Sequence, residues 1–334
     1  LRSLVGSEMC IRDRVLTITH NGYIKRTSLS TYRSQRRGGR GVQGASSREE
    51  DFVEHLFVAN THSYILFFTD KGKCYWVKVY DIPEGGRAAK GRAIVNLIGC
   101  EPDEKVSAFI SVKEFNDDHY VVMATEKGMV KKTKLSAYSN PRKKGIYAVE
   151  IRDGDKLIEA RVSTGDNDIL LGTRNGKSIR FSEEQIRASG RKTMGVKGIT
   201  LSSEDDRLVG MLLIKREGTV LVATEKGFGK RTEISQYRAQ KRGGKGVLTM
   251  KTTDKVGKMV TIKEVVDKDD LMIITNQGVL IRLPVAQIRS IGRATQGVKL
   301  IKLGEGTLVS SITRIMSEEE EDENNNTEST EPKE

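Results

Sequence analysis

The chain is predicted to be all-β: a six-bladed β-propeller built from repeats of about fifty residues, followed by a disordered acidic C-terminal tail. Three observations predict this. A Thr-x-x-Gly turn recurs, a second glycine follows it at a nearly constant distance, and short β-branched apolar runs lie between the glycines.

The turns are T-H-N-G at 19–22, T-D-K-G at 69–72, T-E-K-G at 125–128, T-R-N-G at 173–176, T-E-K-G at 224–227 and T-N-Q-G at 275–278. Their glycines, Gly22, Gly72, Gly128, Gly176, Gly227 and Gly278, are separated by 50, 56, 48, 51 and 51 residues. Gly41, Gly91, Gly145, Gly195, Gly246 and Gly297 follow them at offsets of 19, 19, 17, 19, 19 and 19. Two glycine series in register over six copies mark internal repetition.

Within a copy the elements follow in a fixed order. An apolar, β-branched run comes first, as in V-L-T-I-T at 15–19, Y-I-L-F-F-T at 64–69 and Y-V-V-M-A-T at 120–125. Short apolar runs bounded by turn signals are strands, and long helical periodicity is absent. The glycine turn makes a hairpin, most clearly at Asn21-Gly22 and Asn175-Gly176. A second strand follows, often with paired cations: Lys25-Arg26, Lys131-Lys132, Lys230-Arg231. A short stretch then ends at Tyr32, Tyr80, Tyr138, Ile186, Tyr237 or Ile288. A basic loop leads into the second glycine and another strand. A last apolar run, such as K-L-I-E-A-R-V at 156–162, completes the unit. One small sheet cannot bury both of its faces, so the sheets must stack, and six in a row can close into a disc with few free edges. The glycines of the first series are read as backbone geometry rather than as ligand contacts. The expected blades are 15–63, 64–119, 120–167, 168–218, 219–269 and 270–316, forming one domain over 15–316.

The net charge of +12 is unevenly distributed. Residues 317–334 hold nine acids and one lysine, a net of −8, which leaves 56 bases and 36 acids, a net of +20, on the remaining 316 residues. A basic body with a short acidic tail points to a polyanionic partner, and to a tail that either competes with it or is a solvated end that only aids solubility. Three cysteines, Cys10, Cys74 and Cys100, lack metal-ligand spacing and fit a reducing compartment. The four histidines form no cluster with them, so no metal site is expected. No apolar stretch approaches the roughly 20 residues that cross a bilayer, and no membrane partner is expected. Residues 1–14 lack the apolar core of a secretory leader, fit no part of the repeat and resemble a translated sequencing adapter. They are expected to be a non-native leader, with native upstream sequence lying outside the chain.

The loop before each second glycine is basic. The richest loops are two near-copies of one heptad, Q-R-R-G-G-R-G at 35–41 and Q-K-R-G-G-K-G at 240–246. The candidate DNA-binding residues are Gln35, Arg36, Arg37, Gly38, Gly39, Arg40 and Gly41 in copy one, and Arg87, Lys90 and Arg92 in copy two. Arg142, Lys143 and Lys144 follow in copy three, Arg191 and Lys192 (with Lys197 beyond the glycine) in copy four, Lys241, Arg242 and Lys245 in copy five, and Arg293 in copy six. On a closed ring these loops would form a cationic belt suited to a phosphodiester backbone. Arginine forks and glycine-flanked amides can both bond phosphate oxygens, without reading sequence. With a single tryptophan, Trp76, stacking platforms for single strands are sparse. No catalytic residues emerge: there is no phosphate-binding P-loop, no His-x-x-x-His pair and no Ser/His/Asp cluster.

These residues resemble the C-terminal domain of the DNA gyrase A subunit. Q-R-R-G-G-R-G is similar to that family's heptad, with Arg40 where lysine is common. E-E-D-F-V-E-H-L-F-V-A-N-T-H at 49–62, G-R-A-I-V-N-L at 91–97 and I-G-R-A-T-Q-G-V at 291–298 also resemble family blades, the last with isoleucine where valine is typical. The resemblance covers about residues 15–316. It implies a six-bladed β-pinwheel whose neighbouring blades exchange strands. It implies duplex DNA wrapped on the rim, giving ATP-dependent negative supercoiling its direction. It further implies that strand cleavage, ATP and Mg belong to other domains or subunits, and that no cofactor is bound here. The implied partners are double-stranded DNA, the gyrase B subunit, and a second A subunit in an A2B2 enzyme, in the bacterial cytoplasm at the nucleoid. The second heptad is better kept than the family leads one to expect. The alternatives are the A subunit of topoisomerase IV, whose heptad is eroded, and a protein-interaction propeller of the kelch or WD40 kind, which would not need the basic body.

Overall fold

The computed structural model describes residues 13–19, 21–28, 53–86, 89–101, 103–140, 142–215, 218–277 and 280–315. The first heptad, Arg87, the acidic tail and residues 1–12 lie outside the described residues. The first strand, Asp13–Thr19, begins two residues inside the segment read as leader. There Arg14 pairs with Ser28 across the hairpin and its Nη1 donates to Glu84 Oε1 at 2.9 Å.

Six antiparallel sheets follow one another along the chain, the arrangement of a six-bladed β-propeller. Each is built on a central hairpin: Asp13–Thr19 with Tyr23–Ser28, Tyr64–Thr69 with Lys73–Lys78, and Tyr120–Thr125 with Met129–Lys134. Asp168–Thr173 with Lys177–Ser182, Thr219–Thr224 with Phe228–Glu233, and Asp270–Thr275 with Leu280–Pro284 complete the series. A third strand from the same repeat flanks the first strand of each hairpin: Val53–Asn60, Val106–Val112, Leu157–Ser163, Leu208–Ile214, Met259–Val265 and Val309–Ile315.

The fourth strand is exchanged between repeats. Arg92–Ala93 of the second repeat pairs with Tyr23–Ser28 of the first, and Ile146–Tyr147 of the third pairs with Lys73–Lys78 of the second. Val196–Lys197, Val247–Leu248 and Val298–Lys299 each join the preceding sheet in the same way. Among the described residues the sixth sheet has three strands.

The threonine of each Thr-x-x-Gly turn has a structural cause. The ladder to the third strand shifts register at Thr19, Thr69, Thr173, Thr224 and Thr275. At this bulge the Oγ1 atoms of Thr19, Thr69, Thr125 and Thr173 accept the N–H four residues on, at 3.2–3.3 Å, which closes the hairpin. The glycine that follows has positive φ in the first five repeats, and there its carbonyl is the anchor of the exchanged strand. Gly227 O accepts from Leu300 N and Ile301 N at 2.8 and 3.3 Å, and Gly72 O accepts from Ala148 N and Val149 N at 2.8 and 3.2 Å.

The chain divides into two compact units, with the boundary inside the third sheet. In the first unit, Ile65 and Phe67 pack with Leu16, Ile24 and Val79, while Leu66 and Phe68 on the other face pack with Val121, Met123 and Tyr138. Side chains alternate across a strand, so burial on both faces explains the unbroken apolar run at 64–69. The second unit repeats this. Leu170, Val222, Met259 and Ile262 form one cluster, and Leu221, Leu271, Ile273 and Ile301 another. Tyr138 and Tyr237 are wholly buried packing residues. The stretches that lead to them form 3-10 turns, Leu135–Tyr138 and Ile234–Gln236, and a five-residue helix occupies Ile94–Ile98.

Two glycine substitutions separate conformation from crowding. Gly22 has φ +74° with nothing within 4 Å of an added Cβ, whereas at Gly297, φ +76°, the Cβ would lie 2.6 Å from Gly229 O. Gly22→Ala is expected to cost roughly 1 kcal/mol and Gly297→Ala roughly 3 kcal/mol or more, because the second adds a backbone collision to the strain. Calorimetric unfolding of both variants measures the difference, and equal costs would contradict it.

Candidate nucleic-acid interface

Each cationic loop lies along the second strand of the preceding sheet. In the second, fourth, fifth and sixth repeats it begins at a single parallel bridge: Glu84 on Arg26, Ala188 on Lys132, Ala239 on Arg180 and Ser290 on Arg231. It ends at the second glycine and the exchanged strand. Between these points it arches over the third residue of the strand beneath. The second glycine is needed where the arch comes down: Gly91 has φ +84° and its Cβ would lie 2.5 Å from Ile24 O.

The cations on these loops divide into two kinds. Lys90, Arg92, Arg142, Lys143, Lys144, Lys192, Lys241 and Lys245 are exposed. Lys90 Nζ lies 4.0 Å from the centre of the Tyr23 ring. Arg191, Arg242 and Arg293 are half-buried and bond the neighbouring backbone. Arg191 Nη1 donates to Tyr147 O at 3.4 Å, Arg242 Nη1 to Lys197 O at 3.2 Å and Arg293 Nη1 to Leu248 O at 3.0 Å. In every case the acceptor is the last residue of the preceding repeat's exchanged strand. These three arginines therefore act as latches, a role that spacing alone did not separate from phosphate binding. A guanidinium carries five N–H donors, so a latched arginine still has donors for an anion.

The second heptad shows the latch in most detail. Arg242 Nε donates to Gln185 O and its backbone N–H to Gln185 Oε1, both at 2.9 Å. Gly243, at φ +79°, donates its N–H to Gly198 O, and Thr200 N donates to Gly244 O at 2.9 Å. Gly244 lies flat over Ile179, whose Cδ1 would be 3.4 Å from an added Cβ. Lys241 and Lys245 stay exposed on either side of the glycine pair. The structure thus places the heptad's outer cations toward solvent and its central arginine against the chain.

The strand cations point inward. Lys25, Lys131 and Lys230 are buried, at 3%, 1% and 0% exposure. Lys25 Nζ donates to Gly86 O and Ala89 O at 3.1 and 2.8 Å. Lys131 Nζ donates to Ala148 O at 2.7 Å and to Arg191 O. Lys230 Nζ donates to Gly292 O at 2.7 Å, to Arg293 O and to Thr295 Oγ1 at 3.0 Å. Burial, and then repulsion from Arg191, pushes Lys131 down to about 7. Burial and Arg293 push Lys230 down to about 8, and burial lowers Lys25. In the sequence alone these pairs carry no assigned role. The signal was available in the repeat, since the same position holds Tyr75, Ile179 and Ile281 in the other copies. Alternation with large apolar residues marks an inward-facing site. The neighbouring cations also have internal partners: Arg231 Nε donates to Ile288 O at 2.8 Å and pairs with Asp267, and Lys132 sits over the Tyr120 ring.

Among the described residues no cluster of acidic, cysteine and histidine side chains could hold a metal ion, and no helix is long and apolar enough to cross a membrane.

The family model described as "DNA gyrase C-terminal domain, beta-propeller" matches residues 13–60, 63–113, 119–164, 167–215, 218–265 and 269–315. The DNA gyrase A subunit of Staphylococcus epidermidis (strain ATCC 12228 / FDA PCI 1200) is 47% identical over 308 residues, covering 91% of this chain and 34% of that protein. The DNA gyrase A subunit of Staphylococcus aureus (strain NCTC 8325 / PS 47) is 47% identical over 304 residues, covering 90% and 34%. The chain thus spans 34% of the length of these relatives. The solved C-terminal domain of DNA topoisomerase IV superposes with a TM-score of 0.82 at 25% identity, covering 96% of this chain and all of that one. A DNA gyrase A C-terminal domain superposes with a TM-score of 0.71 at 24% identity, covering 91% of this chain.

The latch and the exposed lysines of the second heptad are separable by substitution. Arg242→Ala removes bonds to Gln185 O and Lys197 O and is expected to lower stability by roughly 1–3 kcal/mol. Lys241→Ala and Lys245→Ala are each expected to stay within about 0.5 kcal/mol of the native chain. Urea unfolding of the three variants measures this, and an unaltered Arg242→Ala transition would contradict the latch.

Proposed function

The chain belongs to the DNA gyrase C-terminal β-propeller family, and from that premise we propose that it binds and bends duplex DNA without sequence preference. In this reading it is the wrapping part of a larger gyrase A protein. By presenting a second duplex segment with one handedness, it gives ATP-dependent negative supercoiling its direction. The chemistry of cleavage and ATP hydrolysis, with its Mg, belongs to other parts of an assembly that contains the gyrase B subunit together with a second A subunit. The setting is the bacterial cytoplasm, at the nucleoid.

The observation that carries this reading is the recurrence of exposed cations at one place in successive repeats: Lys90 and Arg92, then Lys143 and Lys144, then Lys192, then Lys241 and Lys245. They stand on a body with a net charge of +20 outside the tail. Phosphate contacts at a fixed repeat position suit a backbone that is bent past them. Bending 20–30 base pairs by 40–90° costs about 1–6 kcal/mol, which several lysine–phosphate contacts can offset through counterion release. The superposition on a topoisomerase IV domain supports the related A subunit of that enzyme as a second reading. Two intact heptads, at 35–41 and 240–246, favour gyrase.

Duplex affinity measured against salt tests the proposal. With Z phosphate contacts the logarithmic slope is about −0.9Z, so a steep fall that is the same for unrelated sequences is expected, and a flat response would reject it. Replacing 35–41 with alanine is expected to keep most of the affinity while reducing bending. Fluorescence transfer across an end-labelled duplex reads this, and unchanged bending would overturn the role given to the first heptad.

A further inference from the structure

Three buried lysines have no part in the proposed function as stated. They occur only in the first, third and fifth repeats, at one position of the second strand: Lys25, Lys131 and Lys230. Each lies beneath a loop of one type. The loops above Lys131 and Lys230 read S-G-R-K-T-M-G at 189–195 and I-G-R-A-T-Q-G at 291–297, and the loop above Lys25 reads G-G-R-A-A-K-G at 85–91. The heptad at 240–246 arches instead over Ile179 and lies flat upon it. Across the fourth, fifth and sixth repeats, loop type and the residue beneath it therefore change together.

The contacts explain the pairing. A loop that carries the motif Gly-Arg turns carbonyls inward, and a buried carbonyl without a donor costs about 1–3 kcal/mol. Lys131 satisfies Arg191 O of its loop together with Ala148 O, just after the exchanged strand Ile146–Tyr147, and Lys230 satisfies Gly292 O and Arg293 O, both of its loop. One amino group thus grips the main chain of the arginine whose side chain is latched to Tyr147 O or Leu248 O. Lys25 holds Gly86 O and Ala89 O, next to the exposed Lys90. An amino group donates to two carbonyls whether or not it carries its extra proton, so the grip survives the lowered proton affinity of Lys131. Burying a lysine in this way is unfavourable by itself, which argues for a purpose beyond packing.

We propose that Lys131 and Lys230 are positioning residues for polyanion binding: each holds the Gly-Arg loop of the following repeat in the arch that presents its cations to phosphate groups. The inference rests on the duplex-binding reading for its ligand, but the arch itself can be tested without DNA.

The test uses Lys131→Met and Lys230→Met in the full chain, since methionine keeps the apolar stem and removes the donors. Hydrogen exchange followed by mass spectrometry reads the loops at 188–195 and 289–297. Exchange is expected to rise about tenfold in the loop above the substitution only, while in the thermal midpoint the loss of donors to two carbonyls and the relief of a buried amine oppose each other. Duplex binding by the same variants is expected to lose about one unit of salt slope, as one loop's phosphate contacts are lost. Loop exchange within twofold of the native chain would overturn the positioning role. Faster exchange with an unaltered salt slope would also overturn it, because the arch would then be structural only. If the native chain itself shows no salt-dependent duplex binding, the duplex reading fails, and with it the ligand assigned to these loops, whatever the exchange data show.

Discussion

The carbonyl of the turn glycine is the point on which the architecture depends. In the second repeat, Gly72 O accepts two N–H groups from the residues that follow the next repeat's exchanged strand, and Gly176 and Gly227 do the same for Thr249 with Met250 and Leu300 with Ile301. Two conditions must hold together at that residue. The turn requires positive φ, and the incoming strand must approach so closely that at Gly176 a Cβ would collide with Met250 O. Only glycine meets both. Because the exchanged strand is just two residues long, its own ladder is too short to hold it, and this carbonyl completes the attachment. A chain whose successive sheets are joined in this way cannot lose one strand without exposing the edge of the sheet before it.

The position of every cationic loop follows from that attachment. A loop fixed at one end by a parallel bridge and at the other by the exchanged strand has a set span, and it must arch over whatever side chain lies beneath. An isoleucine, as at Ile179, suits a flat glycine pair. A lysine, as at Lys131 or Lys230, suits a loop that turns carbonyls inward. The two loop families are thus two solutions to one span, set by alternate residues of the strand below.

Much of this fold was legible in the sequence because its causes are local. The Thr-x-x-Gly signature records a bulge, a threonine acceptor and a left-handed turn within four residues, and the apolar run at 64–69 records burial on both faces. The exchanged strands were not readable from residues such as Ile146-Tyr147, since a two-residue strand has no periodicity; only the family resemblance implied them. The cations were the least transparent feature. Arg191, Arg242 and Arg293 look like phosphate ligands in a basic loop, yet their first partners are backbone carbonyls across the loop–strand junction. Lys131 looks like surface charge until its strand position is aligned with Tyr75 and Ile179. Charge in a sequence says nothing of direction, and direction here is decided by contacts between neighbouring repeats.

That division between arginine and lysine has an electrostatic consequence. Two of the latching arginines, Arg191 and Arg293, sit above buried amines, Lys131 and Lys230. Arg191 disfavours the charged form of Lys131, and Arg293 that of Lys230. Like charges packed beside one another raise the local positive potential above what the same residues would create if dispersed on the surface. The backbone bonds that hold the arginines keep them from moving apart to relieve it. An anion arriving at such a loop meets the arginine directly, and its charge favours the protonated form of the amine beneath. The cost of assembling that charge falls on the fold, through the buried lysines, rather than on the encounter with the ligand.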